Sequence, residues 1–386
     1  LGMPAAEFLR DYWQKHPLLI RNAFPDFEAP MQADDLAGLA CEEGALSRLI
    51  RYERATDQWS VSHGPFPEDL FPQLPTADWT LLVQDVDKWD VDVAAMIGHF
   101  GFLPRWRMDD VMVSFAAPGG SVGAHVDQYD VFLLQGVGHR RWKIDAGTHP
   151  AIAYREDVEL RLLREFHPTH DWVLGPGDML YLPPGVPHHG VAEDACLTFS
   201  FGMRAPSAAE LLGDLVDTLT ESADESLRYL DPDLVPPTDP AEIDADAMVR
   251  VVRALEQLRS DQPEPMAEWF GNFITRYRNA VDVIPAQLDE GEYPRSRIEI
   301  EWDLQHGGSL HRHPYSRMAW RRSGTAAVLH ANGESHALCV TDASTLANAG
   351  IVDGPTYAAL SEPGRDCLIA LMDAGHYHLV MEDEDE

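Results

Sequence analysis

The triplet His125-Val126-Asp127, answered 61 residues later by His188, constrains this chain more than any other feature. Two imidazoles and one carboxylate form the facial triad that holds non-haem Fe(II) and leaves coordination positions open. Residues two apart on a strand share a face, so a strand over 125–134 carries His125 and Asp127 to one metal ion. His188 has to arrive from a distant strand, and a β-barrel or jelly roll supplies one. Open positions on a redox-active iron mean oxygen chemistry.

A bare HxD pair also arises by chance, so its surroundings carry the weight. From Gly177 the chain reads GD-x-LYLPPG-x-PH: a strand, a rigid proline turn, then a histidine at the rim. On the residues alone, His189 competes with His188 as third ligand. Val111, Val113 and Phe115 alternate with Met112, Ser114 and Ala116, and Gly119-Gly120 marks a turn before the HxD segment. Short apolar runs at 131–134, 142–144 and 178–182 follow, each set off by Gly or Pro. Many short strands so punctuated predict an all-β barrel core. Ahead of it, Phe8, Leu9, Tyr12 and Trp13 have helical spacing, ended by Pro17, and residues 59–66 read as a strand turning at Gly64-Pro65.

Two further cues belong to the same pocket. Gly138-His139-Arg140-Arg141-Trp142 lies on the strand after the HxD strand. An oxygenase of this class takes electrons from 2-oxoglutarate, whose far carboxylate needs a buried cation, and arginine offers a two-pronged donor. Neighbouring residues point to opposite faces, so one of Arg140 and Arg141 turns inward. Ser114, expected on an adjacent strand, adds a hydroxyl. Tyr129 shares parity with His125 and Asp127, and Asp110 shares parity with Met112 and Ser114. An acid and an aromatic ring beside the iron suit a cationic side chain.

Composition narrows the partners. The 386 residues include 29 basic and 64 acidic ones, a net charge of −35. Such a chain repels phosphate backbones, which disfavours nucleic acid; it would attract a basic protein, and the same acidity also suits solubility or a salt-rich habitat. No apolar run approaches the ~20 residues of a membrane span, and charges within residues 1–20 argue against a signal peptide. Cys41, Cys196, Cys339 and Cys367 are scattered without metal-ligand spacing, as expected for a reducing cytoplasm.

At Ser207 the character changes. Ser207-x-x-Glu210 is a capping box, after which Leu211, Leu212, Leu215, Val216 and Leu219 fill one helical face. Beyond a proline-rich link at 231–240, a second helix is expected over about 240–260 and a third around Trp269, Phe270, Phe273 and Tyr277. Helices this apolar pack on the barrel or form a dimer interface, and a homodimer is the expectation. In the last unit, residues 298–300 and 326–329 read as strands and 345–349 and 357–360 as helices, which suits a winged-helix-like module. The final MEDEDE reads as an acidic tail.

These residues resemble the JmjC (cupin-like) 2-oxoglutarate oxygenases, and more closely the bacterial ribosomal oxygenases that hydroxylate an arginine of a large-subunit ribosomal protein. The resemblance rests on FLRDYWQKHPLLIR near the start, VSHGPF at 61–66, DWTLLVQDVDKW at 78–89, and above all the stretches at 106–144, 177–190 and 201–206. DPDLVPP and EWFGNFI extend it, and it weakens after about 285. It implies an α+β chain with a double-stranded β-helix (jelly-roll) core over 1–206, a helical dimerisation region over 207–280, a winged-helix-like domain over 281–380 and a tail at 381–386. It implies His125, Asp127 and His188 as Fe(II) ligands, with 2-oxoglutarate and O2 as co-substrates. It implies that Arg140, where relatives often carry lysine, holds the far carboxylate with Ser114 assisting, and that Asp110 and Tyr129 hold the substrate arginine. The chain departs from the family pattern at His139, where a further basic residue is common, and at His189, where an acid is seen. The implied activity is hydroxylation of the arginine β-carbon; the rivals are the same chemistry on histidine or methyl-lysine, and a non-enzymatic metal-binding cupin.

Overall fold

Alternating apolar residues make strands that bury one face, and the first part of the chain stacks many of them. The computed structural model describes residues 1–221, 223–236, 239–258, 263–276 and 296–381. They form two compact units, Leu1–Ala205 and Pro206–Glu386. The first holds β1 (Leu18–Ile20), β2 (Ser47–Glu53), β3 (Gln58–His63), β4 (Trp79–Val83), β5 (Met108–Ala116), β6 (Val131–Val137), β7 (Arg140–Ile144), β8 (His170–Leu174), β9 (Met179–Leu182), β10 (His188–Ala192) and β11 (Cys196–Met203). A large sheet runs in the order β1-β9-β6-β11-β5-β4-β2-β3, and a small one runs β10-β7-β8. Together they make the jelly-roll core of an α+β chain.

Parity explains which residues point where. On β11, Leu197, Phe199, Phe201 and Met203 join the outer core, while Thr198, Ser200 and Gly202 line a cleft between the sheets. On β5, Val111 and Val113 face the outer core, and Asp110, Met112 and Ser114 face the cleft. The run Val131-Phe132-Leu133-Leu134 on β6 is apolar on both sides because both are covered. Val131 and Leu133 pack with Trp142 and Ile144, whereas Phe132 and Leu134 meet the outer core. That outer core is roofed by α1 (Ala5–Asp11), α2 (Ala33–Leu39) and α3 (Val91–Met96). Phe8 of α1 is fully buried and meets the rings of Tyr181 at 4.9 Å and Phe132 at 5.7 Å. Each such ring contributes about 1.5–3 kcal/mol by leaving water.

A buried carboxylate ties the N-terminal segment to this wall. Asp130 has no exposed surface and accepts from Tyr181 Oη at 2.6 Å, Gln14 Nε2 at 2.9 Å and Arg107 at 3.1 Å. Three donors satisfy a charge that would otherwise be costly to bury.

The second unit begins with α4 (Ala208–Glu221), α5 (Ala245–Glu256) and α6 (Pro263–Thr275). The capping box is formed: Ser207 N donates to Glu210 at 2.7 Å, and Glu210 N donates to Ser207 Oγ at 3.1 Å. Then come α7 (Arg297–Gln305), β12 (Ser309–Arg312), β13 (Met318–Ser323), β14 (Ala326–Ala331), β15 (Glu334–Leu338), α8 (Val340–Asn348), β16 (Ile351–Asp353), α9 (Gly354–Ala359), α10 (Glu362–Asp373) and β17 (Tyr377–Val380). Their sheets run β16-β12-β17 and β13-β14-β15.

Two sequence expectations are corrected. Residues 298–300 are helical, not a strand, because Ser296 and Glu299 form a reciprocal capping box that starts α7. Ile300 then faces the core while Ile298 is exposed. The HxD segment is also not a strand through 134: His125 makes a single bridge, and regular pairing resumes only at Val131. Tyr277 and the tail after Met381 lie outside the described residues. No helix among the described residues is long and apolar enough to cross a membrane.

Candidate active site

The cleft between the sheets is lined by Asp110, Ser114, His125, Asp127, Tyr129, Arg140 and His188, all expected there from the sequence. Backbone pairing brings the triad together. His125 N donates to His188 O and His188 N to His125 O, each at 3.0 Å, so the two residues face each other across an antiparallel bridge. Ser121 and Val191 make a second bridge on the same line. Gly185 N donates to Asp127 O at 2.8 Å, tying the proline turn to the third member of the set.

The side chains are oriented as ligands. His125 Nδ1 donates to Gly123 O at 3.0 Å, and His188 Nδ1 donates to Val186 O at 2.9 Å. With the Nδ1 proton committed to a carbonyl, each ring turns a lone pair at Nε2 toward Asp127. Asp127 Oδ2 lies 3.5 Å from His188 Nε2 and 3.9 Å from His125 Nε2. One donor atom from each of the three lies within 4.8 Å of the others, and no other such group occurs among the described residues. Burial, reinforced by the neighbouring His125, lowers the His188 pKa to about 4, so the ring is neutral at physiological pH. His189 is the next residue on β10 and turns the other way, against the ring of Phe166. Two imidazoles and a carboxylate on one side of a point suit a divalent transition metal with open positions.

The cleft also holds a cation without a counter-ion among the described residues. Arg140 is 2% exposed, and no carboxylate among the described residues pairs with it. Its Nη1 donates to Ser114 Oγ at 3.2 Å and Thr198 Oγ1 at 3.5 Å, its Nε has no partner, and its charge lies 5.0 Å from the Trp142 ring. Desolvation pulls its pKa down. Arg141 points outward to Asp171 and Glu193. Ser114 is not on a strand adjacent to Arg140; it projects from β5 in the facing sheet and meets the guanidinium across the cleft. A buried, unpaired guanidinium flanked by hydroxyls fits one carboxylate of a small dicarboxylic acid.

The opposite pole is acidic. Asp110 Oδ1 and Tyr129 Cε2 lie 3.0 and 4.0 Å from where a Cβ on Gly202 would sit, so acid and ring both stand beside Gly202 in the cleft lining. Burial raises the Asp110 pKa to about 7, with Asp85, Asp109 and Asp87 adding repulsion and one hydrogen bond from Asp85 N opposing them. Thr198, Trp142 and Gly202 were not singled out from the sequence. The alternation in Cys196-Leu-Thr-Phe-Ser-Phe-Gly-Met was the available signal, since its polar members all face inward.

The matches to known proteins agree with this geometry. The JmjC domain family matches residues 95–211, a ROXA-like winged helix matches 257–378, and an AraC-like ligand-binding domain overlaps at 167–259. The ribosomal protein uL16 3-hydroxylase of Escherichia coli K12 is 38% identical over 281 residues, covering 73% of this chain and 74% of that protein. The chain belongs to the JmjC ribosomal oxygenases. A probable ribosomal oxygenase of Haemophilus influenzae is 41% identical over 228 residues, 59% of this chain and 54% of that one. The crystal structure of E. coli ycfD superposes with a TM-score of 0.86 at 34% identity, covering 98% of this chain and 99% of that one. Another structure of this E. coli ribosomal oxygenase, in complex with cobalt and 2-oxoglutarate, superposes with a TM-score of 0.83 at 35% identity, covering 98% and 99%.

The Asp110 shift has a stability consequence. Between the ordinary 3.8 and about 7 the folded state binds more protons than the unfolded state, so stability falls as pH rises through that window. Asp110→Asn removes the titration. Thermal melts should show it more stable than wild type above about pH 7, with the advantage shrinking toward about pH 4. A pH-independent difference contradicts the assignment.

Proposed function

We propose that this oxygenase uses Fe(II), 2-oxoglutarate and O2 to hydroxylate an arginine side chain, at its β-carbon, in a basic protein of the large ribosomal subunit. His125, Asp127 and His188 hold the metal in this reading, which, when bound with its co-substrates, supplies oxidation of an unactivated C–H bond. Arg140, with Ser114, anchors the far carboxylate of 2-oxoglutarate, and Asp110 and Tyr129 hold the substrate guanidinium. The observation that carries the substrate reading is the placement of the Asp110 carboxylate and the Tyr129 ring together beside Gly202 in the cleft. A guanidinium is planar, permanently charged and weakly hydrated, so an acid together with an aromatic face suits it better than an ammonium. It also relieves the cost of ionising Asp110. The name of the E. coli relative, a hydroxylase of uL16, supports a ribosomal target.

The chain's own groups divide the work. The two backbone-anchored imidazoles fix the ligand directions before any metal arrives, and the walls formed by Leu82, Met112, Val131 and Leu133 limit water around the target bond. Asp110 binds arginine in its ionised form, so peptide affinity rises as pH climbs through about 7 and then levels off. The net charge of −35 favours a basic partner and argues against a nucleic-acid ligand; a ribosomal target places the enzyme in the cytoplasm.

We also assign the helical stretch of the second unit, α4 and α5, to a homodimer interface. Leu212, Val216, Met248, Val252 and Leu255 are each at least 45% exposed there, an apolar area unusual for a lone surface. A second copy of the same acidic chain matches this apolar face, whereas a basic partner matches the acidic surface elsewhere.

Peptides from a basic ribosomal protein, carrying arginine, lysine or alanine at the target position, test the substrate reading by mass spectrometry. Wild type should hydroxylate the arginine peptide only. Asp110→Asn should lose about 30-fold or more in kcat/KM while still binding 2-oxoglutarate, since losing one partner of a desolvated charge pair costs about 2–5 kcal/mol. Asp127→Ala should retain the fold and lose metal. Equal turnover of arginine and lysine peptides refutes the substrate assignment. Light scattering should give twice the chain mass; a concentration-independent monomer refutes the dimer.

A further inference from the structure

Gln135 lies outside the cleft, yet it controls a hydroxyl inside it. The side chain is fully buried on β6 beside a bulge. Leu197 pairs with Val137, but Thr198 pairs with Gln135, which makes Gly136 the extra residue. A Cβ on Gly136 would stand 2.5 Å from the Phe199 ring, so the bulge is tight. The Gln135 Nε2 amide donates to Val137 O at 2.9 Å and Leu197 O at 3.1 Å, the carbonyls flanking the bulge. Only the nitrogen end of an amide can donate twice, so those two acceptors fix the orientation of the group. Its oxygen therefore faces Thr198, whose hydroxyl donates to it at 3.2 Å.

A hydroxyl has one proton to give. With that proton committed to Gln135, Thr198 turns only lone pairs toward Arg140 Nη1, 3.5 Å away, and a guanidinium can only donate. Ser114 is the cross-strand neighbour of Thr198 and accepts from the same Nη1 at 3.2 Å. Its own proton stays uncommitted. Without the Gln135 oxygen the Thr198 proton would have no fixed acceptor, and the direction of its lone pairs toward Arg140 would no longer be set.

We infer that Gln135 is a positioning residue for the co-substrate: by setting the direction of the Thr198 hydroxyl it aims the Arg140 guanidinium and leaves the Ser114 O–H free to donate, so that both meet the far carboxylate of a 2-oxo dicarboxylic acid. This rests on the assignment of Arg140 to 2-oxoglutarate made above. Gln135 acts through Thr198 and touches no ligand itself, which distinguishes its role from that of Ser114.

The test compares binding of 2-oxoglutarate with that of 2-oxobutyrate, which has the chelating end but lacks the far carboxylate. Affinities are measured by calorimetry on the cobalt-loaded full chain. Gln135→Met and Thr198→Val should each lower the preference for 2-oxoglutarate over 2-oxobutyrate by roughly tenfold, the loss of about one hydrogen bond's worth of alignment. Binding of 2-oxobutyrate should be unchanged, and Thr198→Ser should restore the preference. Because Gln135 acts through Thr198, the double variant should be no worse than either single one. Should Gln135→Met fold poorly, Gln135→Leu, which also removes the acceptor, takes its place. An unchanged preference in the folded Gln135 variant or in Thr198→Val, or fully additive losses in the double variant, overturns the inference. An unchanged preference in Arg140→Ala overturns instead the assignment of Arg140 on which it rests.

Discussion

Two backbone hydrogen bonds between His125 and His188 hold the site together. They join segments far apart in sequence and make the ring positions a property of the sheet rather than of flexible side chains. Each ring is then fixed a second time by its Nδ1 contact with the carbonyl two residues earlier. Asp127 needs no strand of its own, because the Gly185 amide grips its carbonyl from the proline turn that also delivers His188. Everything else in the cleft is arranged around this fixed point: the wall of β5 and β11 on one side, the floor of β7 on the other.

Along the cleft the electrostatics have two uncompensated poles. Arg140 is a buried cation with hydroxyls and an aromatic ring but, among the described residues, no anion. Asp110 is an acid crowded by acids. Either pole alone costs folding stability, because a buried charge loses hydration without gaining a partner. A fold optimised only for stability would have neutralised both. Their presence together in one cleft with the triad matches a reaction with two guests of opposite sign: a dicarboxylate at the cation and a cationic side chain at the acid. Asp130 is the contrast within the same barrel, since a purely architectural carboxylate there receives three donors.

Much of this was legible in the sequence because strand chemistry is written in parity. The alternation on β5 placed Asp110 and Ser114 on one face, and the Arg140-Arg141 pair had to split between inside and outside. The HxD spacing pointed to convergence, though for a reason that did not survive: the segment is an isolated bridge, and convergence comes from pairing with β10 and from the Gly185 contact. Contacts across the sheets were not legible, since which strands face one another depends on the whole barrel. Ser114 was therefore placed beside Arg140 rather than opposite it, Thr198 showed only in the polar alternation of β11, and Trp142 and Gln135 carried no signal of their role. The short Ile298-Glu299-Ile300 alternation misled because local capping by Ser296 outweighs three residues of pattern.

Mass spectrometry of the large-subunit ribosomal proteins, compared between cells that make this enzyme and otherwise identical cells lacking its gene, tests the account most directly. The account predicts one arginine in one basic large-subunit protein that carries the mass of an added oxygen atom at its β-carbon only when the enzyme is present. No difference at any arginine, or an oxygen found instead on histidine, would contradict it.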